Sequence, residues 1–222
     1  MSELDAPRRV LPLRRTVSAV VEVPGSKSIA NRALICAALA DGGSTLHRVP
    51  DGDDTVAMLD ALSALGIGVA AEGEVVRVTG GVQRLCPGPL TLRTGLAGTT
   101  SRFLTALAAL GPGPYTIDGD APLRRRPMAP LHAALGDLGV SVVHGAEHGH
   151  LPVTVLGPAG PGRSEVALRG DVSSQYLTAL MLVAPYLPDG LWVRLTTPLV
   201  SRPYVTMTAA VMAAFGVEGV EV

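Results

Sequence analysis

Three stretches of the chain repeat one pattern of residues, and this repeat limits the available folds more than any other feature. Each stretch is rich in Ala and Leu at helical spacing, closes with Leu-Gly or Phe-Gly and continues into β-branched residues. The stretches are MLDALSALGIGV at 58–69, PLHAALGDLGVSV at 130–142 and MTAAVMAAFGVEGV at 207–220. The pattern predicts a helix, a glycine cap at its C-terminus and the start of a strand, three times over.

Upstream of each stretch lies a second apolar helix whose first turn is polar. These helices are predicted at 28–40 (SIANRALICAALA), 99–110 (TTSRFLTALAAL) and 173–187 (SSQYLTALMLVAPYL). Arg32, Arg102 and Gln175 take equivalent places in them, about 70 residues apart. The alternating runs at 74–80 and 151–157 are typical of strands and follow the second helix of the first two units.

These elements predict an α/β (α+β) protein built from three β-α-β-α-β-β units, two complete and the last incomplete. The units span residues 17–85, 86–160 and 161–222, after a tail at residues 1–16. If the units pack around a pseudo-threefold axis, parallel helices lie inside and sheets outside, and equivalent helix N-termini face one surface. Unpaired backbone N–H groups and the positive ends of the helix dipoles would make that surface an anion site.

Composition and charge argue against several classes of protein. The formal net charge is only −1, so no overall field attracts nucleic acid or an anionic membrane surface. No apolar run approaches the length of a membrane span, and no signal peptide is recognisable. Cys36 and Cys86 match no metal or redox spacing, and we expect both to be reduced. The sequence therefore predicts a soluble cytoplasmic protein whose anion site is made locally.

The first candidate site residues lie in PGSKSIANR at 24–32. This stretch contains Lys27, the only lysine beside seventeen arginines. Lys27 and Ser28 open a predicted helix, and Arg32 follows one turn further along the same side. All three side chains can donate hydrogen bonds to phosphate or carboxylate oxygens.

Three further motifs place polar groups at predicted helix starts. Gly98 allows a ligand close to the backbone, with Thr99 or Thr100 as the cap. Ser173, Ser174 and Gln175 offer more hydrogen-bonding groups than one cap requires. In LRRRP at 123–127 the proline suggests a helix start, where cations oppose the helix dipole unless an anion offsets them. Of these arginines we favour Arg126, next to the proline.

Other motifs have simpler interpretations. DGDD at 51–54 lacks the rest of a calcium loop, and helix capping by Asp53 or Asp54 explains it. HGAEHGH at 144–150 is interpreted as a solvated hairpin turn rather than a metal site. PGSKS lacks the spacing of a Walker loop. No metal site is predicted.

Five motifs together resemble one enzyme family, the 5-enolpyruvylshikimate-3-phosphate synthases. In chain order they are VPGSKSIANRAL, GLAGTTSRF, LRRRPMAPL, GDVSSQYLTALM and LVSRPY. The resemblance runs from about Val17 to the C-terminus and implies an enzyme of two lobes, each an inside-out barrel of three β-α-β-α-β-β units. It implies transfer of the enolpyruvyl group of phosphoenolpyruvate to the 5-hydroxyl of shikimate 3-phosphate with release of phosphate, without a metal or organic cofactor.

The length of the chain matches one lobe of such an enzyme, the shikimate-3-phosphate-binding half. The resemblance therefore implies that the tail at 1–16 runs toward a second lobe. A complete active site would need that C-terminal lobe, and this chain alone is expected to be inactive.

The resemblance also assigns roles to residues. Lys27 is expected to be catalytic, to contact phosphoenolpyruvate and to lie near shikimate 3-phosphate too. Gln175 is expected to contact both substrates, and Gly98 and Arg126 match positions that bind phosphoenolpyruvate. Arg102 is expected to support the site. The positions expected to bind shikimate 3-phosphate are Ser28, Arg32 (through the carboxylate), Ser173, Ser174, Ser201 and Tyr204.

Two residues depart from the family pattern, and two other functions stay open. Leu96 stands where Asn is common and Phe103 stands where Pro is common, so phosphoenolpyruvate affinity and inhibitor sensitivity do not carry over. The first alternative is a lobe of an enolpyruvyl transferase acting on a UDP-sugar, whose opening motif pairs Lys with Asn. The second is a non-catalytic anion-binding module.

Overall fold

The computed structural model describes residue 9, residues 11–158 and residues 164–221. Helices and strands alternate along this part of the chain, which confirms the α/β class. Most of the predicted tail, the predicted boundary between residues 160 and 161, and Val222 lie outside the described residues.

The helices lie close to the two helices predicted for each unit, and the strands at 75–80 and 153–155 lie within the predicted strand runs. The helices are α1 (Lys27–Leu39), α2 (Asp53–Ala64), α3 (Gly98–Leu107), α4 (Ala121–Arg124), α5 (Ala129–Asp137), α6 (Ser174–Val183) and α7 (Arg202–Ala214). The strands are β1 (Gly42–Leu46), β2 (Gly68–Glu72), β3 (Val75–Gly80), β4 (Leu90–Arg93), β5 (Tyr115–Asp118), β6 (Val142–His144), β7 (Val153–Val155), β8 (Glu165–Leu168) and β9 (Trp192–Leu195). Short 3-10 turns extend α3 and α6 to Leu110 and Tyr186.

The three described sheets share one pairing scheme. The second has the order β4-β5-β7-β6, in which β4 and β5 run parallel and the other pairs antiparallel. The first sheet, β1-β3-β2, has the same antiparallel pairing as β5-β7-β6 of the second sheet. The third sheet is the parallel pair β8-β9, which corresponds to β4-β5. Only the second unit therefore shows the complete β-α-β-α-β-β order among the described residues.

The prediction of a complete first unit was wrong, because residues 17–23 form no strand. Their valines are exposed, and Val20 is fully so. A strand forms when its backbone groups pair with a neighbour and its side chains find a buried face. The segment has neither of these in the described structure, although its alternation of residues favours a strand.

The predicted glycine caps are confirmed at all three helix ends. Gly66, Gly139 and Gly216 have φ between 78° and 92°, a range in which residues with a Cβ are strained. In each case the next residue donates its N–H to a carbonyl five residues earlier, as Ile67 does to Leu62 at 3.1 Å. This bond closes the Schellman motif and turns the chain out of the helix.

The helices pack against one another and share a core with the sheets. α3 contacts α6, α6 contacts α7, and α1 contacts both α2 and α7. The strands bury alternate residues against this layer, as Val76 and Val78 of β3 show. The polar first turns of the helices are consequently brought close together. None of the described helices is long and apolar enough to span a membrane.

The loop between β6 and β7 is the predicted hairpin connection, in which His148 is exposed, and a buried histidine of α5 lies close to it. His132 of α5 is 3% exposed, and neither of its ring nitrogens has a hydrogen-bond partner. Its ring centroid lies 5.2 Å from that of His144, which lies 4.0 Å from that of His148. Burial, and then the neighbouring imidazoles, lower the pKa of His132 to about 4. No group of three or more His, Cys, Asp or Glu in the described ranges is arranged to hold a metal ion.

We predict that His132 makes the fold sensitive to acid. Its folded pKa of about 4 lies below the ordinary value of 6.5, so the neutral ring is favoured in the fold. Its contribution is complete above pH 6.5 and falls as the pH drops toward 4, by at most roughly 3 kcal/mol. Urea unfolding of the wild type and of His132→Leu between pH 7.5 and pH 4.5 measures the difference.

The matched control is His47→Gln, because His47 is exposed. The variant His132→Leu should show a shallower loss of unfolding free energy with falling pH, whereas His47→Gln should follow the wild type. Parallel pH profiles for wild type and His132→Leu would contradict the prediction.

Candidate functional site

Arg32 connects the helices α1, α6 and α7. Its Nε donates to Thr208 Oγ1 of α7 at 2.8 Å, Nη2 to Thr178 Oγ1 of α6 at 3.4 Å, and Nη1 to the Ser28 carbonyl at 2.6 Å. The guanidinium carbon also lies 5.8 Å from the Tyr204 ring centroid. Arg32 is 2% exposed, and its burial lowers its pKa. It therefore lies beneath the surface rather than on it.

A second polar cluster joins α3 to α6. Arg102 Nη1 donates to Gln175 Oε1, and Gln175 Nε2 donates to Thr99 Oγ1 at 3.1 Å. The guanidinium of Arg102 lies 5.1 Å from the Tyr176 ring centroid, and its Nε is buried without a partner. Burial lowers the pKa of Arg102, with the nearby charge of Arg126 acting in the same direction.

Arg126 lies directly over Gly98, the first residue of α3. A Cβ built at Gly98 would be 2.8 Å from Arg126 Nη1 and 3.7 Å from Arg102 Nη1. The absence of a side chain at Gly98 thus lets two guanidinium groups converge on the N-terminus of α3. Two cations beside a helix N-terminus repel each other, and an anion placed there would be stabilised by both.

Lys27 forms an ion pair that the sequence did not reveal. Its Nζ lies 2.8 Å from Asp54 Oδ2, and the Asp54 carbonyl accepts a 3.1 Å hydrogen bond from Thr100 Oγ1. Asp54 thereby links Lys27 of α1 to α3. The Lys27 side chain remains 58% exposed, so its ammonium is open to a ligand.

The motif LRRRP ends one helix instead of starting the next. Arg124 is the last residue of α4, where a cation suits the dipole, so the predicted unfavourable placement was wrong for it. Arg124 also pairs with Asp118 through two hydrogen bonds, at 2.9 and 2.7 Å. Burial would raise the pKa of Asp118, but hydrogen bonds from Arg124 and Gly119 outweigh it and lower the pKa. This pairing leaves Arg126 as the arginine of the motif that faces Gly98.

The predicted serines lie at the starts of α6 and α7. Ser173 caps α6, since its Oγ accepts from the Gln175 N–H at 3.2 Å, and Ser174 is buried beside it. Ser201 is exposed and adopts a left-handed conformation with φ of 57°, a strained choice for a residue with a Cβ. Its carbonyl accepts the Tyr204 N–H at 3.0 Å, which ties both residues to the first turn of α7.

The structure thus gathers most of the predicted residues into two contact groups. One group holds Ser28, Arg32 and Tyr204, and the other holds Gly98, Arg102, Arg126 and Gln175. The two groups are connected through α1 and α3, because Asn31 Nδ2 lies 3.5 Å from Thr100 Oγ1.

Sequence reasoning missed the partners of these residues. Asp53 or Asp54 was expected to cap α2, but Gly52 is the N-cap and Asp54 instead pairs with Lys27. Thr99 or Thr100 was expected to cap α3, but Ala97 is the N-cap. The available signal was the surplus of polar residues in these first turns beyond what one cap uses.

Comparison with known proteins identifies the family. The sequence model of EPSP synthase (3-phosphoshikimate 1-carboxyvinyltransferase) matches residues 13–221, almost the whole chain. The chain belongs to the EPSP synthase family.

Individual EPSP synthases agree with this match. A 3-phosphoshikimate 1-carboxyvinyltransferase from Thiobacillus denitrificans is 42% identical over 209 residues, which cover 94% of this chain and 49% of that protein. One from Nostoc sp. is 39% identical over 208 residues, covering 93% and 49%. The chain spans about half the length of the curated relatives it matches.

A solved structure supports the same fold. EPSP synthase from Acinetobacter baumannii superimposes with a TM-score of 0.79 at 24% identity, covering 90% of this chain and 45% of that one. At this identity the likeness shows the fold alone.

We predict that Gly98→Ala weakens binding of inorganic phosphate about tenfold or more, because the new Cβ pushes Arg126 away and a charge-assisted hydrogen bond is lost. The fold should be unaffected, because the contacted atom is the far end of a flexible side chain. Isothermal titration calorimetry measures the affinity.

The matched control for Gly98→Ala is Gly136→Ala in α5, where a Cβ meets nothing within 4 Å. Gly136→Ala should bind as the wild type does and unfold at a slightly higher temperature. If Gly98→Ala and Gly136→Ala bound the anion equally well, Arg126 would not be part of the anion site.

Proposed function

We propose that this chain is the shikimate-3-phosphate-binding half of a 3-phosphoshikimate 1-carboxyvinyltransferase. The whole enzyme would transfer the enolpyruvyl group of phosphoenolpyruvate to the 5-hydroxyl of shikimate 3-phosphate and release phosphate. The observation that carries the proposal is a set of cations on neighbouring helices, in a chain of the EPSP synthase family. Arg102 and Arg126 approach Gly98 at the start of α3, Lys27 lies at the start of α1, and Arg32 is buried between α1, α6 and α7.

The charge balance of the site supports two anionic substrates. Within the described part of the chain, Arg32, Arg102 and Arg126 form no ion pair, while Lys27 pairs with Asp54. Buried or crowded cations without counter-charges are costly unless an anion binds. Shikimate 3-phosphate and phosphoenolpyruvate each carry a carboxylate and a phosphate, which suit guanidinium and ammonium donors.

Each residue has a proposed role. Gly98 and Arg126 bind phosphoenolpyruvate, with Arg102 supporting them through Gln175. Arg32 binds the carboxylate of shikimate 3-phosphate, and the ligand reaches it alongside Tyr204, whose ring is 44% exposed above the guanidinium.

Further residues complete the proposed site. Ser28, Ser173, Ser174 and Ser201 contribute the remaining hydrogen bonds to shikimate 3-phosphate. Gln175 contacts both substrates, and Lys27 lies where the two anions meet.

The finer architecture is part of the same proposal. The shared pairing scheme of the three sheets supports a pseudo-threefold lobe of units 17–85, 86–160 and 161–222. A C-terminal lobe would supply the other half of the active site. We further propose a cytoplasmic location, which suits the two unpaired thiols Cys36 and Cys86.

We predict that the isolated chain binds shikimate 3-phosphate weakly and shows no turnover, because half of the proposed site belongs to the other lobe. Calorimetry with shikimate 3-phosphate measures binding, and a coupled phosphate-release assay with both substrates measures turnover. Appreciable phosphate release by this chain alone would contradict the half-site proposal.

The same calorimetry separates the alternative functions. A lobe specific for UDP-sugars would bind UDP-N-acetylglucosamine in preference to shikimate 3-phosphate. A non-catalytic anion-binding module would bind inorganic phosphate as well as it binds either compound. Absence of binding to shikimate 3-phosphate would refute the proposed function.

We also predict that Arg32→Ala weakens binding of shikimate 3-phosphate by about 2 to 3 kcal/mol, the cost of losing a charge-assisted pair. Arg77→Ala is the control, because Arg77 lies exposed on β3 and pairs with Glu72. Circular dichroism verifies that both variants are folded. Unchanged affinity in folded Arg32→Ala would remove Arg32 from the site.

A further inference from the structure

Arg32 is held by neutral groups alone, although it is almost completely buried. Its three hydrogen bonds go to two threonine hydroxyls and one backbone carbonyl. Among the described residues it has no acidic partner. The orientation of its guanidinium therefore depends on the geometry of these neutral acceptors.

The directions of the hydroxyl hydrogen bonds can be deduced from the distances. Thr208 Oγ1 donates its one proton to the Tyr204 carbonyl at 2.7 Å, so toward Arg32 Nε it can only accept. Thr178 Oγ1 lies 3.2 Å from Thr208 Oγ1, and since the Thr208 proton is already used, Thr178 must be the donor between them. The lone pairs of both hydroxyls are then directed at one guanidinium.

These acceptors occupy one particular edge of the guanidinium. Nε–H and one N–H of Nη2 point in the same direction. Nε–H donates to the Thr208 hydroxyl oxygen and the Nη2 group donates to that of Thr178. With Nη1 bonded to Ser28, two of the five N–H groups remain free, one on Nη1 and one on Nη2. The occupied Nε edge is thus closed to a ligand, and a carboxylate can approach only the two terminal nitrogens.

We propose that Thr208 is a positioning residue that turns the terminal nitrogens of Arg32 toward the carboxylate of the bound substrate. This inference rests on the proposed function, which supplies the carboxylate. Thr208 is 0% exposed and bonded to Arg32, so we expect it to act on the ligand through Arg32 and not by direct contact. Its place on α7, one turn after Tyr204, couples the guanidinium to the ring that lies over it.

The test replaces the hydroxyl without changing the shape of the side chain. Thr208→Val removes the acceptor for Arg32 Nε, Thr208→Ser keeps it, and Thr206→Val is the matched control because Thr206 is exposed on the same helix. Each protein is titrated by calorimetry with shikimate 3-phosphate, with shikimate and with inorganic phosphate. Thermal unfolding is followed for each variant.

We expect Thr208→Val to bind shikimate 3-phosphate and shikimate about tenfold more weakly than the wild type. Its affinity for inorganic phosphate should be unchanged, because phosphate carries no carboxylate. Thr208→Ser should restore binding and Thr206→Val should be neutral. The positioning role would be overturned if Thr208→Val bound shikimate 3-phosphate and shikimate as tightly as the wild type does. It would also be overturned if the affinity for all three ligands fell by the same factor.

A readout without ligand separates this inference from the proposed function. The Arg32 Nε–H should give a solvent-protected nitrogen-15 NMR signal, assigned by its absence in Arg32→Lys, and Thr208→Val should remove the protection while Thr208→Ser keeps it. The wild type could bind no shikimate 3-phosphate while Thr208→Val still removes the protection of the Arg32 signal. In that case the proposed function fails and the coupling between Thr208 and Arg32 stands. Unchanged protection in Thr208→Val overturns the coupling whatever the ligands do.

Discussion

The buried guanidinium of Arg32 is held by neutral oxygens, because no carboxylate of the described structure reaches it, and these contacts join three of the helices. Hydroxyls from α6 and α7 and a carbonyl from α1 converge on one side chain. Removing a buried charge from water costs several kcal/mol unless its donors are satisfied. The same side chain therefore joins three helices and carries a positive charge that no described acidic residue neutralises.

A second group of cations without acidic partners lies at the start of α3, and it depends on Gly98. Because that position has no side chain, Arg126 can approach the helix N-terminus next to Arg102. Gln175 and Thr99 satisfy part of the hydrogen-bonding capacity of Arg102, but its Nε remains without a partner. The N-terminus of α3 is left with two guanidinium groups that no described acidic residue neutralises, and this charge favours an anion there.

Lys27 differs from these arginines in having an acidic partner. Its ammonium is exposed and bound to Asp54, whose backbone is in turn bonded to α3. A compact ammonium on a flexible stem can leave such a partner for a ligand more readily than a buried planar guanidinium can reorient. The single lysine of the chain is thus placed at the more adjustable side of the site, and the arginines at the more rigid one.

Local residue patterns determined the helices, their glycine caps and most of the strands, because periodicity and the left-handed preference of Gly66, Gly139 and Gly216 act over a few residues. The motifs at 24–32, 96–102 and 171–176 likewise indicated which residue types would serve an anion site. The complete first β-α-β-α-β-β unit was wrongly expected, because the pairing of its opening strand depends on a neighbour that no local pattern specifies.

Only the tertiary structure decided the partners of the site residues. Asp54 bonds to Lys27 instead of capping its helix, and Arg32 is buried against Thr208, 176 residues further along the chain. Such contacts depend on how distant helices pack, whereas the sequence by itself determined the residue types that those helices bring together.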